Sequence, residues 1–297
     1  MSIKNIQVSV VATVKNDEEG VRLLLENLKK QIVRPDEVII IRSEDYGNCT
    51  RGRGRNIGVR MARNQFIAVT DVGCRPRRDW VEKIINATNI QIDKYPNRQI
   101  AVAGWYRAVA ETGWQKAFLP YLAPKARPVN YLSASRSIAF TKKAWELVGG
   151  YPEEPVSGGE DLKFADKLRQ HPGIKIIYSP KAVVDWPVPA TLTEFIKDMV
   201  KHTRGNFEAG YWPHIVRNLS VVVRWMAMIV WPWVITGYLI IAGLNKGRAF
   251  EYKGQALQAL RMIAVRLAAD AAVVYGSVIG IIDGWVIKKL RLRDSDG

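Results

Sequence analysis

Three apolar runs rich in β-branched residues stand in the first part of the chain: IQVSVVATV (Ile6–Val14), DEVIIIRS (Asp36–Ser43) and FIAVTD (Phe66–Asp71). Runs that stay apolar without alternating suit strands buried on both faces, as in a parallel sheet. Between the first two lies NDEEGVRLLLENLKKQ, whose Val21, Leu24, Leu25 and Leu28 share one helical face behind an acidic first turn. Arg55 to Ala62 reads as a second helix. The order β-α-β-α-β with short links predicts a doubly wound, mostly parallel α/β sheet beginning in the first third of the chain. Ligands of such sheets bind at the carboxyl ends of the strands, here Val14–Asn16, Arg42–Asp45 and Asp71.

Further on, IAVAGWYRAVA and RSIAFTKKAWELVGGYPE read as strands, the second followed by a helix and a Gly-Gly-Tyr-Pro turn. GGEDLKFADKLRQH reads as a helix opened by glycines and acids. IKIIYSP and AVVDWPVP read as two late strands ending at prolines. From Thr191 the pattern is an amphipathic helix, with Phe195, Met199 and Val200 against lysines.

The last third changes character. Trp225–Leu244 is twenty residues without a charge, enough to cross a hydrocarbon core. Leu267–Ile282 is shorter and contains Asp270. Either the two stretches enter a bilayer, spanning it or lying in its interface, or they form a buried helical hairpin of a soluble protein. Trp225, Trp231, Trp233 and the tail KKLRLR match an interfacial belt and a basic anchor. MSIKNIQVSVV has no sustained apolar core before Lys15, so no signal peptide is expected. The boundary between the two regions is expected within residues 190–220.

With 44 basic and 28 acidic residues the formal charge is +16, pointing to a polyanionic partner. Eight arginines and one acid lie between Arg51 and Arg78. Cys49 and Cys74 form no CxxC pair, which favours a reducing compartment. Three isolated histidines cannot build a His-rich metal cage. No GxSxG, HExxH or GxxxxGK[ST] occurs, removing the main support for serine hydrolase, zincin and P-loop readings.

Taken in order, VSVVATVKNDE, EVIII, GRGRNIG leading to FIAVTDVGC, RSIAFTKKAWELVGGYPEE, GGEDLKFADKL and HTRGNFEAG resemble the family 2 glycosyltransferases of the GT-A fold over about residues 6–210. The resemblance implies a GT-A catalytic domain over 1–205, followed over 206–297 by amphipathic and transmembrane or membrane-associated helices. It places Thr13, Lys15, Asn16 and Ser43 at the nucleobase side of a nucleotide-sugar donor site, although Asn16 or Asp17 equally suits capping of the next helix. Arg42 stands where the family carries a base-contacting Asp. Arg55 and Asn56 fit the family's Arg-Asn facing the nucleotide. Asp71 matches the first acid of DxD, while Gly73 takes the place of the second. Asp71 with substrate phosphates and water would then hold Mg²⁺ or Mn²⁺, or arginines would neutralise the diphosphate alone. Asp161 fits the catalytic base, and Arg204 fits the basic residue that closes on the leaving diphosphate.

The implied activity is inverting sugar transfer from a UDP- or GDP-sugar to a lipid-linked or surface-glycan acceptor, at the cell membrane with the catalytic domain facing the cytoplasm. The alternatives are an inactive membrane scaffold of the same fold, supported by Gly73, and a basic nucleic-acid-binding protein. No nucleic-acid-binding motif supports the last, so no nucleic acid is expected as partner.

Overall fold

The computed structural model describes residues 6–92, 94–95, 97–123, 135–154, 157–231, 233, 237 and 256–295. The chain divides into two compact units. The first comprises Met1–Val109, Pro124–Pro155 and Glu160–Pro187. It holds one sheet of seven strands: β1 (Val8–Val14), β2 (Glu37–Arg42), β3 (Phe66–Val69), β4 (Arg75–Pro76), β5 (Gln99–Val109), β6 (Ile138–Thr141) and β7 (Ile174–Pro187), in the order β2-β1-β3-β6-β5-β7-β4.

The expected β-α-β-α-β start is present: β1 pairs in parallel with β2 and β3, through α1 (Glu18–Lys29) and α2 (Arg51–Met61). The side chains of β1 alternate between two cores, as the pleat demands. Val8, Val10, Ala12 and Val14 pack with Val21, Leu24 and Leu28 of α1 and with Trp80, Val81 and Ile84 of α3 (Trp80–Ile92). Val11 faces the other layer with Val59 of α2. After α4 (Gly113–Leu122), part of the second unit, α5 (Lys142–Leu147) and α6 (Glu160–Gln170) complete that layer through Ala144, Phe164, Ala165 and Leu168. The continuous apolar runs therefore reflect burial from both sides. Cys74 closes the turn that begins at Asp71, its N–H donating to Asp71 O at 2.9 Å, and its side chain is buried in the first core.

Beyond β3 the sheet becomes mixed, with β6 antiparallel to both β3 and β5. The two late strands are one strand, β7, parallel to β5 with a register shift between Ala103 and Trp105. The irregularity accommodates Pro180, which has no N–H to give a regular ladder.

The second unit comprises Ala110–Ala123, Val156–Gly159 and Val188–Gly297. Among its described helices are α4, α7 (Leu192–Glu208), α8 (Trp212–Val230) and α9 (Ala256–Ser295). Phe118 of α4 stacks on Phe195 of α7, centroids 4.5 Å apart. Along α9, Gly276, Gly280 and Gly284 meet α7 backbone to backbone. A methyl on Gly276 would lie 2.9 Å from Val200 O, and one on Gly280 2.9 Å from Arg204 O. Asp270 is buried with an ion pair to Arg224 of α8 at 2.9 Å and another to Arg266 at 3.3 Å.

The uncharged stretch from Trp225 is not one continuous helix. Helix α8 ends at Val230, and Trp231 leaves helical geometry at φ −124°, ψ 81°. Pro232 follows, and the residue before proline is driven out of the α region. Positions 232, 234–236 and 238–244 of that stretch lie outside the described residues. Among the described residues one helical segment, Leu257–Gly284, is long and apolar enough to cross a membrane, with mean hydropathy 1.7 and 44 % of its most apolar window buried.

Candidate active site

Helix α2 presses onto β1 because its inner face is glycine. A methyl on Gly54 would sit 2.9 Å from Thr13 Cγ2, and one on Gly58 would run into Val11 Cγ1. That approach sets Arg55, 2 % exposed at its side chain, beneath the end of β3. Its Nη2 donates to Asp71 Oδ1 at 2.9 Å and its Nη1 to Glu160 Oε1 at 2.8 Å. Its carbon Cζ lies 5.4 Å from the centre of the Tyr151 ring. Arg51, one turn earlier, has Nε 3.8 Å from Glu160 Oε1.

Asp161 follows Glu160 in the first turn of α6, where its Oδ1 accepts from Leu162 N at 2.9 Å. The neighbouring carboxylates titrate differently. Burial opposes ionisation of Asp71, but the Arg55 guanidinium, then Arg136 and Arg51, hold it below its ordinary value. Glu160 is likewise held down by Arg55 and Arg51 against the push of burial. Asp161 moves the other way. Burial raises it, Glu160 and Asp71 raise it further, and Arg55 and Arg136 only partly compensate. Asp161 is thereby set apart from Asp71 and Glu160, whose ionised forms the arginines favour.

The ends of β1 and β2 adjoin in register, Val14 against Arg42, with Ser43 N donating to Val14 O. Thr13 lies in β1, half-buried, and Lys15 is exposed just past its end. Asn16 takes a left-handed φ of 51° and its N–H donates to Glu44 Oε1 at 3.0 Å. The cap of α1 is Asp17, whose carboxylate accepts from Gly20 N at 2.9 Å. Ser43 is buried, its hydroxyl donating to Cys49 O at 2.8 Å. Arg42 grips Glu18 through two bonds of 2.9 Å, so its unexpected charge has a partner on α1.

Asn56 has no polar atom left for a ligand. Its Nδ2 donates to Tyr151 O and Glu153 Oε1, and its Oδ1 accepts from Trp145 Nε1 and Tyr151 N. It holds the Gly149-Gly150 turn, where both glycines have positive φ. Arg204 belongs to the second unit, with Nε 2.6 Å from Glu208 Oε1 and 2.8 Å from Asp283 Oδ2. His202 is exposed on the same helix.

Among the described residues no three His, Cys, Asp or Glu side chains group as metal ligands. Asp71 is the strand-end carboxylate with an oxygen to spare. Its Oδ1 is taken by Arg55, while Oδ2 accepts no hydrogen bond from the described residues and the side chain is 33 % exposed. Nothing lies within 4 Å of a methyl placed on Gly73, so the missing second acid leaves open space.

No protein-family model matches the sequence, and no curated protein matches it. Its structure is similar to the mannosyltransferase PcManGT from Pyrobaculum calidifontis in complex with GDP-Man and Mn²⁺, with a TM-score of 0.54 at 15 % identity over 95 % of this chain and 89 % of that one. The chain has the GT-A fold. TarS of S. aureus, residues 1–349 in complex with UDP-GlcNAc, aligns over 97 % of this chain and 92 % of that one, at 15 % identity and a TM-score of 0.44.

Sequence reasoning singled out Asp71, Arg55 and the Glu160-Asp161 pair, and these come together. It assigned no role to Arg136 or Arg51. Arg51 carried a signal, lying one helical turn before Arg55. Arg136 did not, since its proximity to Asp71 depends on a strand pairing formed far apart in sequence.

Proposed function

We propose that this chain is an inverting glycosyltransferase moving a sugar from a nucleotide-sugar donor to a lipid-linked or surface-glycan acceptor at the cytoplasmic face of the cell membrane. The observation that carries the reading is the Asp71–Arg55–Glu160 bridge at the carboxyl end of a GT-A sheet, with Asp161, a carboxyl raised in pKa, beside it.

Thr13, Lys15, Asn16 and Ser43, at the ends of β1 and β2, take the nucleobase side of the donor. Arg55 and Asp71 lie at its diphosphate side, and Asn56 fixes the turn against which α2 rests. As the acceptor hydroxyl attacks the anomeric carbon, Asp161 accepts its proton, and the nucleoside diphosphate leaves from the opposite face. Arg204 is the candidate for stabilising that leaving charge, exchanging a carboxylate partner for the diphosphate. The catalytic region then ends near residue 205.

Arg51, Arg55 and Arg136 face Asp71, Glu160 and Asp161, so the charges around Asp71 nearly cancel. An incoming diphosphate adds negative charge that this balance does not by itself offset. The unbonded oxygen of Asp71 suits a one-carboxylate hold on Mg²⁺ or Mn²⁺ completed by donor phosphates and water. When bound, the ion offsets charge on the leaving diphosphate. PcManGT in complex with GDP-Man and Mn²⁺ supports a divalent ion and a nucleotide-sugar donor here.

Membrane attachment is supported by the apolar segment Leu257–Gly284 and by one exposed stripe on α8: Trp212, Val216, Leu219, Val223, Met226 and Val230. Their alternating spacing of four and three residues lines one side of a helix. The test is a panel of nucleotide sugars with the purified full chain, with and without Mn²⁺ and with lipid extract. The expected result is thermal stabilisation by one donor and release of its nucleoside diphosphate. Absence of both for every donor overturns the transferase reading and favours the inactive scaffold.

A further inference from the structure

Arg136 precedes β6, and beyond the charge it sets against Asp71 no contact described above uses its guanidinium. Its guanidinium carbon lies 4.1 Å from the centre of the Trp186 ring and 4.8 Å from that of Tyr106. The two rings meet edge to face, centroids 6.1 Å apart. The Nε is enclosed without a partner, and among the described residues Arg136 makes no hydrogen bond or ion pair. The register explains where it sits. In the antiparallel ladder Phe66 faces Thr141 and Val69 faces Ile138, and the same register continued past the ladder's end sets Asp71 opposite Arg136.

A guanidinium has five N–H donors, and enclosing it without using them is costly. Aromatic contact recovers part of that cost through the face of the ion and leaves the donors at its edge uncommitted. If neutralising Asp71 were its whole purpose, a direct ion pair of the Arg55 kind would serve. Instead the planar fork is fixed by Trp186 and Tyr106 and kept out of the carboxylate's grip, the arrangement that suits a two-bond hold on a phosphate.

We propose that Arg136 is an oxyanion receptor that binds a phosphate group of the substrate beside Asp71. The phosphate is either the donor's diphosphate or a phosphate on the acceptor. This rests on the transferase reading for the ligand's identity, though not for the anion site itself.

The probe is inorganic pyrophosphate, titrated by thermal shift against the full-length wild-type protein, Arg136→Ala and Arg136→Lys. The expected result is stabilisation of the wild type, weakened about ten- to a hundredfold in apparent affinity in Arg136→Ala. Arg136→Lys keeps the charge without the fork and should fall between, which also covers the case where Arg136→Ala fails to fold. Wild type and variants with equal affinity, or a wild type that pyrophosphate does not stabilise, overturn the proposal. Two further arms identify the source. Weaker UDP or GDP binding by the variants assigns the donor, whereas unchanged nucleotide binding with a raised KM for a phosphorylated lipid acceptor assigns the acceptor. A wild type that binds pyrophosphate through Arg136 yet turns over no nucleotide sugar overturns the transferase reading and leaves the anion site standing.

Discussion

Arg55 Nη1 lies 2.8 Å from Glu160 Oε1, tying α2 to the first turn of α6 across 105 positions of chain. Both side chains are almost fully enclosed, at 2 % and 5 % exposure. Removing one partner strands the other as a buried charge, which costs far more than the pair itself contributes.

Arg55→Met should therefore lower stability by about 3–5 kcal/mol in urea unfolding at neutral pH. The folded pKa values of Glu160 and Asp71 are depressed, so their contribution is present above the ordinary values of 4.5 and 3.8 and lost as pH falls through the lower folded values. The gap between wild type and variant should close over that acidic range. A gap that stays constant down to acid pH would mean that packing, not charge, is what Arg55 supplies.

Asp161 carries the opposite sign. Its folded pKa is raised above the ordinary 3.8, so the stability it lends is complete below that value and lost as pH rises through the folded pKa. At neutral pH Asp161→Asn should raise the Tm while abolishing transfer and leaving donor affinity nearly intact. Differential scanning fluorimetry with product assays checks both halves. In the wild type, kcat/KM should fall on the acid side with an inflection above the usual carboxylate range.

Gly73→Asp restores the second acid in open space. The variant should fold with an unchanged Tm and bind Mn²⁺ at least ~tenfold more tightly in the presence of nucleoside diphosphate, a second carboxylate ligand being added. Unaltered cation affinity would favour charge neutralisation by arginines alone.

Gly280→Leu forces a side chain into Arg204 O and Phe207 Cβ, which lie 2.9 and 2.8 Å from where its Cβ must sit. Overpacking of this kind costs about 1–3 kcal/mol. Loss of helicity on heating should come earlier in the variant, while Gly73→Asp, remote from α9 in sequence, serves as control.

Much of this architecture was legible because it rests on local pattern. The runs at Val8–Val14 and Phe66–Val69 announced two-sided burial, and Asp71 stood where a strand had to stop. Arg42, a puzzle in sequence, resolves once Glu18 is seen to reach it from α1. What could not be read depends on distant pairing. Antiparallel β6 brings Arg136 opposite Asp71, and nothing in SASRSIAF announces that neighbour. The single long β7 was hidden by Pro180, which reads as a strand end unless β7 bulges around it, as it does between Tyr178 and Val183. The helix break at Trp231 was signalled by Pro232 and masked by twenty uncharged residues.

The glycine seam between α7 and α9 limits how the second unit can move. Helices touching through backbone cannot roll over one another as those separated by large side chains do, and displacement along such a seam proceeds in discrete steps between packed positions. Arg204 sits on that seam, its carbonyl beneath Gly280 and its guanidinium on Asp283, one position before Gly284. Any rotation of α7 that swings Arg204 must drag α9 with it. The Arg204 side chain and the apolar segment Leu257–Gly284 are therefore parts of one mechanical unit, and neither can shift without the other.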